Sequence, residues 1–301
     1  MLSRNTKARR SGRPDVAIVG TGQLARVLAH ALHDAGYKIH EIVSRDLPES
    51  KQRVRGLARQ VKTTATVFAS AAFNASVIWL CIPDDLVSYY ARAITETKAN
   101  WAGQIMVHSS GALSSTELEP FRRAGGSIVS AHPLMSFVLN SPATLKNVPI
   151  ALEGEAKAIA VLRPVLRHMR APVFEIEENR KPAYHAFGAF ASPLLIAFLT
   201  QMEAAGVLAG LERKEARERA AGILQQTLTN YIQKGPAKAF SGPLRRGDVG
   251  TIQKHLQALQ QDAKLSDFYR GLIKIGLREL PVKNVREIEE LLERKTATSN
   301  N

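Results

Sequence analysis

A short apolar strand followed by a glycine-rich turn constrains this chain more than any other feature. Residues 16–19 form a run that is too short for a helix and rich in β-branched side chains, which is typical of a buried parallel strand. After Gly22 the apolar residues take helical spacing, and the pattern Gly20-x-Gly22-x-x-Ala25 stands at the join. Such a turn lets a pyrophosphate approach the backbone and the helix N-terminus. We therefore predict dinucleotide binding by Gly20, Thr21, Gly22, Gln23, Leu24 and Ala25.

The end of the second predicted strand, residues 38–43, indicates which cofactor binds. An acidic residue there would bind the ribose 2′-hydroxyl of NAD, whereas Ser44 and Arg45 suit the additional phosphate of NADP. Asp46 comes two residues too late for the acidic role. NADP is the predicted cofactor and NAD the less favoured one. The alternative for Arg45 is a solvated turn arginine.

The most strongly β-like run of the chain, residues 76–83, predicts a central strand. It ends at a proline followed by two acids, one of which is placed to cap the next helix. Ligands of open α/β sheets bind at the carboxyl edge of the strands. We therefore expect Ile82, Pro83 and Asp84 to face the cofactor.

Polar side chains follow two further predicted strands, residues 104–108 and 127–131. Ser109 and Ser110 come after the first strand, and His132 comes after the second, so all three are expected at one edge of the sheet. An imidazole with its ordinary pKa near 6.5 can exchange a proton as hydride is transferred. We predict His132 as the acid/base and Ser109 or Ser110 as its polar neighbour. The alternative is a structural histidine that binds a loop carbonyl.

The strand signal disappears after residue 180, and residues 183–199 contain no Lys, Arg, Asp or Glu. This length is at the lower limit for a membrane span. His185, Ser192 and Pro193 within it favour instead the centre of a helical domain or of a dimer. Lys181, His185, Gly188 and Ser192 share one helical stripe, which makes His185 a further catalytic candidate and Ser192 a substrate contact. A buried histidine bound to a backbone oxygen explains the stripe equally well.

The chain length of 301 residues predicts two domains. Residues 14–178 are expected to form a Rossmann-like α/β domain with a doubly wound, mainly parallel sheet, and residues 179–295 an all-helical domain for dimerisation and substrate binding. A disordered basic tail, residues 1–13, and a polar tail, residues 296–301, flank them. Arg246 precedes a predicted helix, which Asp248 caps, and is a candidate contact for an anionic substrate or a solvated loop residue.

Composition narrows the classes of function. The single cysteine, Cys81, excludes an intramolecular disulfide framework and fits the reducing cytoplasm. The formal net charge of +14 suits anionic ligands, since no recognition-helix or zinc pattern accompanies it. We predict no metal site, no dedicated nucleic-acid binding and no membrane association.

Four motifs together resemble an uncharacterised bacterial family of Rossmann-like oxidoreductases with a C-terminal helical domain of unassigned function. They are Gly20-x-Gly22-x-x-Ala25, the segment 108–114 (HSSGALS), His132-Pro-Leu134 and the segment 242–251 (GPLRRGDVGT). The layout is also similar, more distantly, to pyrroline-5-carboxylate reductase, β-hydroxyacid dehydrogenases and prephenate dehydrogenase.

The resemblance implies nicotinamide binding, hydride chemistry and a homodimer. In prephenate dehydrogenases a His-Pro at the matching place contacts the substrate hydroxyl that loses hydride. The chain departs from the family pattern at Ser192-Pro193, where the resemblance leads us to expect Ser-Asn. The proline replaces a polar side chain and is expected to kink the helix.

Three hypotheses follow for the function of the chain. The first is an NADP-dependent dehydrogenase or reductase of a small, anionic metabolite. The second is an NADP(H)-binding redox sensor without turnover, and the third is a scaffold or nucleic-acid-associated protein. Ser109, Ser110 and His132 favour the first, because a sensor needs no proton acceptor beside the nicotinamide.

Overall fold

The computed structural model describes residues 12–139 and 144–294. Most of the predicted basic tail and the whole predicted polar tail lie outside the described residues. Arg13, the last residue of the predicted basic tail, lies within them and is attached to the domain. Its guanidinium donates a hydrogen bond of 2.6 Å to the carbonyl oxygen of Ala35 and stacks over the ring of Tyr37.

The chain divides into two compact units after Ser192. The first unit extends beyond residue 178, where the sequence placed the domain boundary, because it includes the helix that follows the sheet. Its strands are β1 (Val16–Val19), β2 (Ile39–Ser44), β3 (Thr64–Val67), β4 (Val77–Leu80), β5 (Ile105–His108), β6 (Ser127–Pro133), β7 (Ile150–Gly154) and β8 (Val173–Glu175). Its helices are α1 (Gln23–Asp34), α2 (Pro48–Gln60), α3 (Val87–Thr95), α4 (Glu119–Arg123), α5 (Ala156–His168) and α6 (Lys181–Ala191).

The eight strands form one sheet in the order β3-β2-β1-β4-β5-β6-β7-β8. The first six are parallel to their neighbours, β7 is antiparallel to β6, and β8 is parallel to β7. The predicted Rossmann-like α/β fold with a mainly parallel sheet is confirmed. The parallel order places the carboxyl ends of β1, β2, β4, β5 and β6 along one edge.

Both faces of the sheet are buried, as expected for parallel strands covered by helices. Successive side chains of β4 alternate between two apolar clusters: Val77 and Trp79 lie in one, Ile78 and Leu80 in the other. This period of two is the geometry of a strand, and burial on both sides explains why the strand sequence is apolar throughout.

The second unit is helical throughout its described part. Its helices are α7 (Pro193–Leu208), α8 (Arg213–Lys234), α9 (Pro236–Ala239), α10 (Pro243–Arg246), α11 (Val249–Leu259), α12 (Ala263–Glu279) and α13 (Val285–Glu293). An apolar cluster around Ile252, Ile273 and Ile288 joins α11, α12 and α13. The predicted all-helical C-terminal region is confirmed.

One apolar stretch of the chain is long enough to cross a membrane by length and composition. It covers Glu178–Leu208, and only 6% of its most apolar window is buried. Ser192, with φ −133° and ψ −85°, leaves the helical conformation, so the stretch is divided into α6 and α7 at the predicted kink. Among the described residues of this stretch, large apolar side chains such as Phe187, Phe190 and Ile196 are exposed.

Candidate functional site

The glycine-rich turn has the geometry that the sequence predicts. Gly20 has a φ of +124°, and a Cβ at this position would collide with the carbonyl oxygen of Cys81. Any other residue would therefore be strained and would push β1 away from β4. Gly22 is the N-cap of α1, no side chain caps the helix there, and a Cβ on Gly22 would meet open space. The N-terminus of α1 is thus free to bind an anion.

A cleft of about 390 Å³ lies at this turn, on the carboxyl edge of β1, β2 and β4. One wall is apolar and aromatic, with the rings of Phe68 and Tyr90 packed edge to face at 5.0 Å. The predicted cofactor residues that line the cleft are Gly20, Thr21, Gly22, Gln23, Ser44, Arg45, Ile82 and Pro83. The cleft therefore offers backbone amides for a pyrophosphate and an apolar wall for a base.

Two arginines, Arg45 and Arg53, are the charged residues among those that line the cleft. Asp46 does not line it, and its carboxylate forms an ion pair with Lys51 instead. Ser44, at the end of β2, is only 4% exposed, and its hydroxyl has no hydrogen-bond partner among the described residues. An unpaired buried hydroxyl beside two guanidinium groups fits a phosphate oxygen as the missing partner.

Leu24, Ala25 and Asp84 do not line the cleft and have structural contacts instead. Ala25 is fully buried and Leu24 packs against the apolar core, so both hold α1 to the sheet. Asp84 caps no helix with its side chain; its carboxylate accepts a hydrogen bond from the Ser110 hydroxyl at 2.6 Å. Gln23 donates to the carbonyl oxygen of Val138 at 3.1 Å, which attaches the segment after β6 to the turn.

His132 is part of β6, which extends to Pro133 rather than ending at residue 131 as predicted. Its Nδ1 lies 2.9 Å from the Tyr184 hydroxyl, and its ring packs edge to face on that of His185 with centroids 6.2 Å apart. Gly111 makes room for both imidazoles, because a Cβ there would lie 2.8 Å from Nε2 of His132 and 2.8 Å from His185. We call His132, Tyr184 and His185 the histidine cluster.

The surroundings keep His132 uncharged. Burial lowers the pKa of His132 from 6.5 to about 4; electrostatic interactions with Lys181 and His185 act in the same direction, while Asp84 opposes them. The expected titration near neutral pH is therefore wrong for this residue. Burial also raises the pKa of Tyr184 to about 12, so the phenol is protonated in the resting protein.

Neither Ser109 nor Ser110 forms a hydrogen bond with His132 in the described structure, contrary to the prediction. The Ser109 hydroxyl accepts a hydrogen bond from Nε1 of Trp79 at 2.8 Å. The Ser110 hydroxyl donates to Asp84 and accepts from the backbone amides of Ala112 and Leu113. Both hydroxyls are thus occupied in fixing the loop after β5, and Tyr184 takes the place beside His132.

Lys181 begins α6 and is 1% exposed. Its ammonium donates to the Ser130 hydroxyl at 2.7 Å and to the carbonyl oxygen of Ser110 at 3.3 Å, and Glu153 lies 3.9 Å away. Burial lowers the pKa of Lys181, and Glu153 and Asp84 oppose this. These contacts with β6, with β7 and with the loop after β5 explain why α6 belongs to the first unit and holds Tyr184 and His185 against the sheet.

The two predicted substrate contacts lie elsewhere in their units. Ser192 occupies the break after α6 and donates a long hydrogen bond of 3.4 Å to the carbonyl oxygen of Ala189. Arg246 ends α10 in the second unit and is exposed. Asp248 caps α11 as predicted, accepting from the amide of Thr251 at 3.0 Å and from its hydroxyl at 2.7 Å.

Family comparisons agree with this architecture. Residues 2–133 match the family of Rossmann-like domains, and residues 148–274 match the domain of unknown function DUF2520. The sequence is therefore similar to a Rossmann-like domain followed by a DUF2520 domain. The histidine cluster takes His132 from the residues that match the first family and Tyr184 and His185 from the residues that match the second.

Several solved structures share the fold. A candidate NADP oxidoreductase from Bacteroides fragilis is 20% identical with a TM-score of 0.70, over 87% of this chain and 97% of that one. A reductive aminase from Aspergillus terreus, solved with NADPH and ethyl-5-oxohexanoate, is 15% identical with a TM-score of 0.60, over 93% and 99%. A pyrroline-5-carboxylate reductase from Coxiella burnetii is 13% identical with a TM-score of 0.57, over 93% and 99%. No curated protein has a matching sequence.

Several residues of these sites were not predicted from the sequence, among them Arg53, Tyr184 and Gly111. Arg53 lies on α2, eight residues after Arg45, and a second basic residue in the helix after β2 was the available signal. Tyr184 follows Lys181 by three residues. Residues three apart lie on the same face of a helix, as residues four apart do. Gly111 gave no signal, because its role depends on two rings from distant parts of the chain.

Proposed function

We propose that this protein is an NADP-dependent oxidoreductase that transfers hydride between the nicotinamide and a small molecule. The observation that carries this proposal is the cleft at the glycine-rich turn, with Ser44, Arg45 and Arg53 at the end of β2. The structural neighbours include proteins described as an NADP oxidoreductase and as an NADPH complex, which supports the same cofactor.

The residues present fit NADP in their chemistry. The turn and the free N-terminus of α1 would hold the pyrophosphate, and the Ser44 hydroxyl and the two guanidiniums would bind the 2′-phosphate. Phe68 and Tyr90 would flank the adenine. The bound cofactor supplies or accepts hydride at its nicotinamide. The residues of the chain then have to manage the accompanying proton.

We propose His132 as the group that exchanges this proton with the substrate. His132 stands at the carboxyl edge of β6, beside the edge that carries the cleft, and Tyr184 and His185 surround it. A cluster of proton-exchanging side chains favours turnover over a redox sensor, which needs none. His185 is a second acid/base candidate in the same cluster.

We further propose that the substrate is anionic, that the protein is a homodimer and that it is located in the cytoplasm. The excess of 41 basic over 27 acidic residues supports an anionic substrate. The exposed apolar faces of α6, α7 and α8 support a homodimer as their cover. The buried, free thiol of Cys81 suits the cytoplasm.

Substitution of the two arginines tests the cofactor assignment. Arg45→Ala and Arg53→Ala should each weaken NADPH binding by about 10- to 150-fold, the worth of one charged hydrogen bond of ~1.5–3 kcal/mol. NADH binding should change little, since NADH has no 2′-phosphate. Titration calorimetry with both cofactors measures this.

Arg55→Ala is the matched control, because Arg55 lies on the same helix, is exposed and does not line the cleft. It should leave both affinities unchanged. Equal losses of NADPH and NADH affinity in the Arg45 and Arg53 variants would contradict the assignment.

A further inference from the structure

Ring contacts hold the side chains of Tyr184 and His132 next to each other, and the two share a hydrogen bond. The Tyr184 ring packs edge to face on His132 at 5.5 Å and on Phe174 at 5.9 Å. Its hydroxyl lies 2.9 Å from Nδ1 of His132. Among the described residues Tyr184 is the hydrogen-bond partner of this ring, and Nε2 faces Gly111, which offers no side chain.

The direction of the bond follows from the two groups. A neutral imidazole carries one N–H and one unprotonated nitrogen, and that nitrogen is a far stronger acceptor than a phenol oxygen. The charged and titratable groups that face His132 are Lys181, Tyr184 and His185 on α6, Asp84 after β4 and His108 on β5. With His132 uncharged and Tyr184 protonated, the phenol donates to Nδ1 and the ring carries its proton on Nε2.

We propose that Tyr184 and His132 form a neutral proton relay, in which Tyr184 protonates Nδ1 as Nε2 gives its proton to the substrate. The inference rests on the proposed function and deepens it, because it names the substrate atom: an oxygen or nitrogen that accepts a hydrogen bond, as in a carbonyl or an imine. Tyr184 is a positioning residue, since it acts through His132.

The step balances as a reduction. If a bound reduced nicotinamide supplies hydride to the substrate carbon, the Nε2–H proton goes to the substrate oxygen or nitrogen and the Tyr184 proton moves to Nδ1. After the product leaves, Nε2 takes a proton from solvent and the Nδ1 proton returns to the half-buried phenolate, which restores the starting tautomer. The ring is neutral before and after the transfer. The relay thereby avoids an imidazolium beside the buried Lys181, which the surroundings disfavour.

Nitrogen NMR of the histidine rings tests the relay without a substrate. The full chain is labelled with ¹⁵N-histidine, and His132→Asn identifies the signals of His132. We expect wild-type His132 to be a single Nε2–H tautomer from pH 6 to 8, a range above its pKa of about 4. In Tyr184→Phe the single tautomer should be lost and both tautomers populated.

A second histidine–tyrosine pair provides the matched control. Nδ1 of His255 lies 2.8 Å from the Tyr269 hydroxyl in the second unit, so Tyr269→Phe should change the His255 signals and leave those of His132 unaltered. An Nδ1–H tautomer of wild-type His132, or an unchanged His132 spectrum in Tyr184→Phe, would overturn the relay. NADPH titration of the same samples separates this failure from a failure of the proposed function, which would appear as loss of binding.

Discussion

The protonation state of His132 is set by its neighbours rather than by its residue type. Burial and the positive charge of Lys181 lower its pKa to about 4, so the ring is neutral at physiological pH. A neutral imidazole still exchanges protons, provided that one nitrogen gives a proton as the other receives one. In the proposed relay, proton transfer by His132 therefore depends on the Tyr184 hydroxyl at its Nδ1.

Replacing His132 tests its role in proton transfer. His132→Asn should lower kcat by ~10²–10⁴-fold, the usual contribution of a general acid/base, while the Kd for NADPH stays near the wild-type value. The assay follows NADPH consumption with a carbonyl or imine compound selected by screening the wild-type enzyme.

The pH profile adds a second criterion. Because the pKa of His132 is lowered to about 4, wild-type kcat should show no inflection near 6.5 that belongs to this residue. A variant with wild-type kcat would show that the proton passes through His185 or water. In that case the site would have to be rebuilt around α6.

The position of a single residue was predictable where one side chain or one backbone angle determines the local structure. Gly20, Ser44 and Arg45 lie where the pattern places them, because a turn between strand and helix is a local structure. The partner of His132 was not predictable in this way. It depends on the burial of Lys181, which attaches α6 to β6, to β7 and to the loop after β5, all far away in the sequence.

At the scale of elements, the strands with a continuous apolar run were predicted. β1, β2, β4, β5 and β6 are present where the sequence predicts them, whereas the four residues of β3 (Thr64–Val67) alternate too briefly between polar and apolar to be predicted. β6 was predicted two residues too short, because Pro133 suggested a loop. Pairing with the antiparallel β7 instead keeps His132 in the strand, opposite Ala151.

Helix ends show where side-chain chemistry is ambiguous. Asp248 caps α11 as predicted, whereas Asn284, which directly precedes α13, adopts the left-handed conformation and donates to the carbonyl oxygen of Gly247. Asn favours both N-caps and left-handed positions, so its sequence context alone does not decide between them. The break at Ser192 was predictable, because Pro193 cannot continue the hydrogen bonds of α6.

At the scale of the whole molecule, several helices expose large apolar side chains, which is the basis of the proposed homodimer. Phe190 on α6 is 71% exposed and Ile232 on α8 is 79% exposed. We expect wild-type protein at micromolar concentration to have twice the chain mass of 32.9 kDa in light scattering. Phe190→Glu and Ile232→Glu should shift the equilibrium toward monomer, because each places a charge in an apolar interface.

Val161→Glu serves as the control for the dimer prediction, since Val161 is an exposed apolar residue on α5 of the sheet unit. It should leave the mass unchanged. A wild-type monomer, or a dimer that persists in both α6 and α8 variants, would contradict the homodimer.

The most direct test of the account is the affinity of the wild-type protein for NADPH and NADH, measured by titration calorimetry under identical conditions. Two arginines line the cleft together with Ser44, whose hydroxyl has no partner among the described residues, and only NADPH carries a 2′-phosphate that they could bind. We predict that NADPH binds more tightly by about tenfold or more, the worth of at least one charged hydrogen bond. Equal affinities, tighter binding of NADH, or no binding of either would contradict the central claim.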